Sequence, residues 1–135
     1  MSTARTLGAH HVGLTVPDLS AAHAFFTETL GFDTVTEKPD YPAVFVSDGT
    51  TMITLWRAAD PATATPFDRR ANIGLHHLAI RVADQGTLDA LGEELAEHSD
   101  VSVEFAPEAL GTSGARHMMA AIPGGIRLEL IAIGD

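Results

Sequence analysis

The chain contains no cysteine, which excludes disulfides, thiolate metal ligands and a cysteine nucleophile. Positive charge is scarce: 8 Lys and Arg stand against 18 Asp and Glu, for a formal net charge of −10. Such a surface repels phosphate backbones and anionic headgroups, so neither a nucleic acid nor a membrane is an expected partner. No apolar run approaches membrane-spanning length, and the opening Met1-Ser2-Thr3-Ala4-Arg5 leads into no apolar signal core. These absences fit a soluble, cytoplasmic protein. What is present is a 45% hydrophobic chain of 135 residues, enough for one domain or two small fused modules.

An internal repeat organises it. Residues 10–18 read HHVGLTVPD and residues 76–84 read HHLAIRVAD, an offset of 66. Each opens with a His pair, continues as β-branched or alternating apolar residues and ends in Asp, the pattern of a strand running into a helix cap. Asp18 is placed to cap a helix from Leu19 to Leu30 that stops at Gly31, with Ala22, Phe25, Phe26 and Leu30 on one face. Asp84 or Thr87 caps a second helix with a Leu88, Leu91, Leu95 stripe. Three short strands are expected after each helix, near 32–37, 43–47 and 51–56, then near 101–105, 116–122 and 127–133. Asp48-Gly49 and Pro123-Gly124-Gly125 turn between the last two of each set. The fold class is therefore α+β. Two βαβββ modules, 7–57 and 75–135, are joined by a connector at 58–74, and the pair is expected to form a cupped eight-stranded mixed sheet.

The repeat also aligns chemistry. By strand alternation His11 shares a face with Gly13 and Thr15, and His77 holds the matching place in the second half. The last strands match as well, Met52-Ile53-Thr54-Leu55 against Arg127-Leu128-Glu129-Leu130. A carboxylate set among Leu128, Leu130 and Ile131 is costly unless paired or metal-bound; an ion pair with Arg127 or Arg116 is the structural alternative. His11, Thr54, His77 and Glu129 thus form an equivalent set, of which three are good ligands. Two imidazoles and one carboxylate suit Fe(II), Mn(II), Zn(II), Ni(II) or Co(II) and leave coordination positions open. No organic cofactor is expected. On the penultimate strand His117 lies two residues before Met119 and offers a proton shuttle, or alternatively a surface histidine. Arg69 and Arg70 on the connector offer guanidinium groups for a substrate carboxylate. Trp56 and Phe67 suit either a pocket or the core, and His23 and His98 receive no role.

The stretches HHVGLTVPDL, AFFTETLGF, HHLAIRV and PGGIRLELI resemble the vicinal oxygen chelate superfamily of glyoxalases, extradiol dioxygenases, methylmalonyl-CoA epimerases, and fosfomycin- and bleomycin-resistance proteins. The resemblance spans nearly the whole chain. It implies a metal held by His11, His77 and Glu129 in a cupped sheet; beside it, the residue reading gives Thr54, Trp56, Arg69 and Met119 as candidate substrate contacts and His117 as the candidate catalytic proton carrier. Glyoxalase I carries a metal-binding Glu, and the epimerases likewise a ligand, where Thr54 stands here. Extradiol dioxygenases and thiol transferases place a tyrosine where Met119 falls. The three-ligand set leans towards an extradiol-type dioxygenase acting on a small molecule with neighbouring oxygens. The alternatives are a glyoxalase-like lyase or isomerase, and a non-catalytic module that sequesters a cationic drug. The resemblance further implies a homodimer.

Overall fold

In a computed structural model, which describes residues 3–134, the chain divides into two compact units, 1–64 and 65–135. Each runs strand, helix, three strands. The first unit contains β1 (His11–Val16), α1 (Leu19–Ala24), β2 (Asp33–Lys38), β3 (Ala43–Ser47) and β4 (Met52–Arg57). The second contains β5 (Leu78–Arg81), α2 (Gln85–Glu97), β6 (Ser102–Ala109), β7 (Arg116–Ala121) and β8 (Arg127–Ala132). The eight strands form two four-stranded mixed sheets, ordered β1-β4-β3-β2 and β5-β8-β7-β6. In each, the first strand pairs in parallel with the last and the remaining pairs are antiparallel. No helix among the described residues is long and apolar enough to cross a membrane.

Local chemistry sets the boundaries. The Asp18 carboxylate accepts the Ala21 amide at 3.0 Å and the Asp84 carboxylate accepts the Thr87 amide at 2.7 Å, so each repeat strand is followed by a capped helix start. Hydrogen bonds from Thr87, its amide first and then its side chain, hold the Asp84 carboxyl below its ordinary range. The first helix is less regular than its sequence predicts. It is α-helical only to Ala24 and then widens into a π-helical turn over Phe25–Thr29, with the Leu30 amide reaching back to the Phe25 carbonyl at 3.1 Å. Adjacent Phe25 and Phe26 are both fully buried, and the wider turn lets both rings enter the core. Gly31, at φ +79°, ends the segment in a conformation that favours glycine.

Each helix covers one face of its own sheet. Leu14, Val16, Val44, Val46, Ile53 and Leu55 are buried with Ala22, Phe25 and Phe26 in the first unit. Ile80, Met118, Leu128 and Leu130 are buried with Leu88 and Leu95 in the second. Truncating any such leucine to alanine removes well-packed volume and costs about 2–5 kcal/mol. With the helix-covered faces apolar, the residues between them along β4 and β8 point to the opposite faces. Thr54 and Glu129 occupy those positions and are the buried polar residues of the described chain.

Candidate active site in the second unit

Glu129 is 8% exposed and stands in register with Ala79 of β5 and Met119 of β7. His77 comes two residues before Ala79, and His117 two residues before Met119, so both reach the face that Glu129 occupies. The carboxylate divides between them. His77 Nε2 lies 3.1 Å from Oε1, and His117 Nδ1 lies 2.7 Å from Oε2. A carboxylate only accepts, so the His117 bond is donated from Nδ1, and Nε2 of the neutral ring carries the lone pair. The His117 ring packs on Phe105, centroids 4.9 Å apart. Arg127 and Arg116, the alternative partners for Glu129, are engaged elsewhere: Arg116 pairs with Asp89 at 2.9 Å.

Arg127 forks onto Glu104, Nε to Oε1 and Nη2 to Oε2, both at 2.8 Å, and Arg69 donates to the same Oε1 at 2.9 Å. These guanidinium groups, Arg127 first, lower the Glu104 pKa from 4.5 to about 2, while the Glu104 carboxylate raises that of Arg127. The cluster borders an open cavity of about 350 Å³ lined also by Phe67, Ser102 and Gly125. The sequence pattern gave Arg69 as a substrate contact; the structure places it on this cavity, ion-paired to Glu104. His76 is pushed below the ordinary imidazole value, by desolvation and then by the Arg127 charge.

The other predicted positions lie in the first unit. His11 opens β1, exposed, with its Nδ1 2.9 Å from His10 Nδ1. Thr54, 2% exposed, accepts a 2.9 Å hydrogen bond from Trp56 Nε1, and the Trp56 ring meets Tyr41 and Phe45. A Cβ on Gly13 would stand 3.1 Å from Thr54 Oγ1, so the glycine makes room for this hydroxyl. His23 bonds Thr34 at 2.7 Å, and His98 accepts the Asp100 amide at 3.1 Å. The Glu104 cluster was not read from the sequence.

No group of three or more His, Cys, Asp or Glu among the described residues is arranged to hold a metal ion. The His77–Glu129 pair nevertheless fits two adjacent ligands. With metal–ligand bonds of about 2.1 Å, neighbouring ligands at a right angle stand about 3.0 Å apart; the nitrogen and oxygen here are 3.1 Å apart.

The profile of the Glyoxalase/Bleomycin resistance protein/Dioxygenase superfamily matches residues 8–130. The chain belongs to this superfamily. It is 34% identical to a 2-epi-5-epi-valiolone epimerase from Actinomyces sp., over 93% of this chain and 79% of that protein. Its fold is similar to a glyoxylase/bleomycin resistance protein/dioxygenase domain from Frankia sp. EAN1pec, with a TM-score of 0.77 at 26% identity over 94% and 92% of the two chains. A lactoylglutathione lyase from Agrobacterium tumefaciens shares the fold at a TM-score of 0.68 and 21% identity, over 96% of both chains. A fosfomycin resistance protein from Listeria monocytogenes does so at 0.73 and 16%, over 94% and 93%.

Proposed function

We propose that the protein is a divalent-metal-dependent isomerase that inverts a carbon next to a carbonyl in a small, oxygen-rich molecule. The observation that carries this reading is the division of Glu129 between two imidazoles, one suited to hold a cation and one suited to move a proton. The similarity to an epimerase supports the isomerase class over ring cleavage by oxygen.

His77 Nε2 and Glu129 Oε1 would hold the cation, and a bound divalent cation supplies Lewis-acid polarisation of the carbonyl. His117 does the proton work. Its Nδ1–H is committed to Glu129, which fixes the ring and leaves Nε2 to accept a proton from the carbon beside the carbonyl. The C–H electron pair passes into the carbonyl system as an enolate. A proton delivered to the opposite face by solvent in the open cavity gives the epimer, with His117 releasing to solvent the proton it took; return of that proton by His117 to the same face regenerates the substrate. The Phe105 ring covers one side of the base. The remainder of the substrate docks in the cavity beside Arg69, Ser102 and Arg127, whose spare N–H and O–H groups suit hydroxyl or keto oxygens.

The test is isomerisation in D₂O. Metal-replete protein, given a panel of cyclic and open-chain hydroxyketones, should place deuterium at one carbon of the product and invert it. Absence of both exchange and inversion across the panel would sink the proposal. Oxygen uptake with catechols under the same conditions would instead establish the extradiol dioxygenase expected from the three-ligand pattern.

A further inference from the structure

The cavity beside the candidate centre carries its own counter-ion. Arg127 stands two residues before Glu129 on β8, so the two side chains leave the same face of the strand. The Glu104 carboxylate sits between Arg127 and Arg69, taking two bonds at 2.8 Å from the first and one at 2.9 Å from the second. The charged groups that line the cavity are Asp68, Arg69, Glu104 and Arg127, two of each sign, so the lining is neutral. Both carboxylates are held ionised. Backbone hydrogen bonds from Ala71 and Arg70 lower the Asp68 pKa, and the hydrogen bond from Arg127, ahead of the other contacts with the two guanidinium groups, lowers that of Glu104 to about 2.

A phosphate or carboxylate arriving here meets guanidinium groups that already have a partner. Like Glu104, it brings acceptor oxygens and a negative charge, so it must displace that carboxylate or stand against its charge. A hydroxyl group both donates and accepts. Among the described residues Glu104 Oε2 accepts one hydrogen bond, from Arg127 Nη2, which leaves a lone pair for a hydroxyl proton. Arg69 donates to Glu104 through Nη1, which leaves its other N–H groups for a hydroxyl oxygen. We infer that Glu104 is a specificity-determining residue, a built-in counter-ion that reserves this cavity for uncharged, hydroxyl-bearing substrates and excludes phosphorylated or carboxylated ones. The chain-wide charge of −10 acts in the same direction at longer range. The inference rests on the substrate docking proposed above and narrows its class, but the exclusion of anions is readable without turnover.

The test compares the full wild-type chain with Glu104→Gln and Glu104→Ala, each checked for folding by its thermal melt. Inorganic phosphate is the probe, added at constant ionic strength and followed by the ¹H–¹⁵N shifts of Ser102, Gly125 and Arg127. Wild type should show no saturable shift there. Loss of the Glu104 charge leaves two cations against one anion in the lining, with both guanidinium groups facing a neutral side chain. Both variants should then bind phosphate at least about 10-fold more tightly than wild type, through charge-assisted hydrogen bonds. In turnover, wild type should favour a hydroxyketone over its phosphate ester by at least about 10-fold in kcat/KM, and Glu104→Gln should narrow that ratio through KM. Phosphate binding by wild type as tight as by the variants overturns the inference, as does failure of both folded variants to gain it. If no hydroxyketone is turned over while only the variants bind phosphate, the isomerase reading fails and the exclusion of anions by Glu104 stands.

Discussion

Replacing Glu129 separates its structural from its ligating role. The side chain is 11% exposed, bonded at 2.7 Å to a His117 ring that is 14% exposed. Glu129→Ala leaves the His117 Nδ1–H without an acceptor, worth about 1–3 kcal/mol, and opens a small void, so the metal-free protein should lose about 2–4 kcal/mol. Glu129→Gln behaves differently. Its carbonyl oxygen accepts from His117, and its NH₂ donates to His77 Nε2 when that imidazole takes its Nδ1-protonated form. The weaker neutral bond to His117 costs about 1 kcal/mol, while removal of a buried negative charge offsets a similar amount, so metal-free stability should change by less than about 1 kcal/mol. In thermal melts with a chelator present, Ala should fall by roughly 10 °C and Gln by no more than a few degrees. Saturating cation then reverses the ranking. At 100 times its dissociation constant a ligand adds about 2.7 kcal/mol to wild type, and Gln, having lost the anionic ligand, should gain little of it. A Gln variant that melts as low as Ala without metal, or that gains the full wild-type increment with it, would refute the reasoning.

His117→Gln should lower turnover about 10²- to 10⁴-fold with cation content unchanged, checked by kinetics beside elemental analysis. The depressed pKa of Glu104, about 2 against an ordinary 4.5, makes its contribution to stability complete above pH 4.5 and progressively lost as pH falls towards 2. Glu104→Gln should therefore flatten the acid limb of the stability curve in that window. Because the carboxylate is 39% exposed, the effect is screened to under about 1 kcal/mol.

Much of the architecture was legible because it is written twice. Asp18 and Asp84 close strands and open helices by a bond to an amide three residues on, and side-chain alternation along β8 places Glu129 opposite the helix-covered Leu128 and Leu130. What was not legible depends on pairings that local patterns do not encode. The strand read as ending at 105 runs to Ala109, through Pro107; β6 is an edge strand with two register shifts, where a missing N–H is tolerated. The second-half strand expected from 76 begins at Leu78, so His76 and His77 precede it. The Arg69–Glu104–Arg127 cluster joins residues 23 to 35 positions apart in sequence, and no spacing rule anticipates it.

Thr54 and Glu129 hold matching places on β4 and β8, and each half satisfies its buried oxygen differently. In the first, Gly13 makes room for the Thr54 hydroxyl, Trp56 donates to it, and Tyr41 and Phe45 pack on the indole, so a neutral group is fully partnered. In the second, two imidazoles share a carboxylate, and the buried negative charge requires a proton or a metal beside it. Charge chemistry is therefore confined to one half of the repeat, and Thr54→Glu tests that division. The new carboxylate would sit at a position 2% exposed, with indole and phenyl rings as neighbours on its face. Overpacking and desolvation together should destabilise the protein by at least about 3 kcal/mol. His11, two residues before Gly13 on the same strand face, is the nearest imidazole by register, and its ring is already bonded to His10. Added Mn²⁺ or Zn²⁺ should therefore not restore stability. A Thr54→Glu protein that melts like wild type in chelator would show that the first half was ready to accept the charge, and that the threonine is not what keeps it neutral.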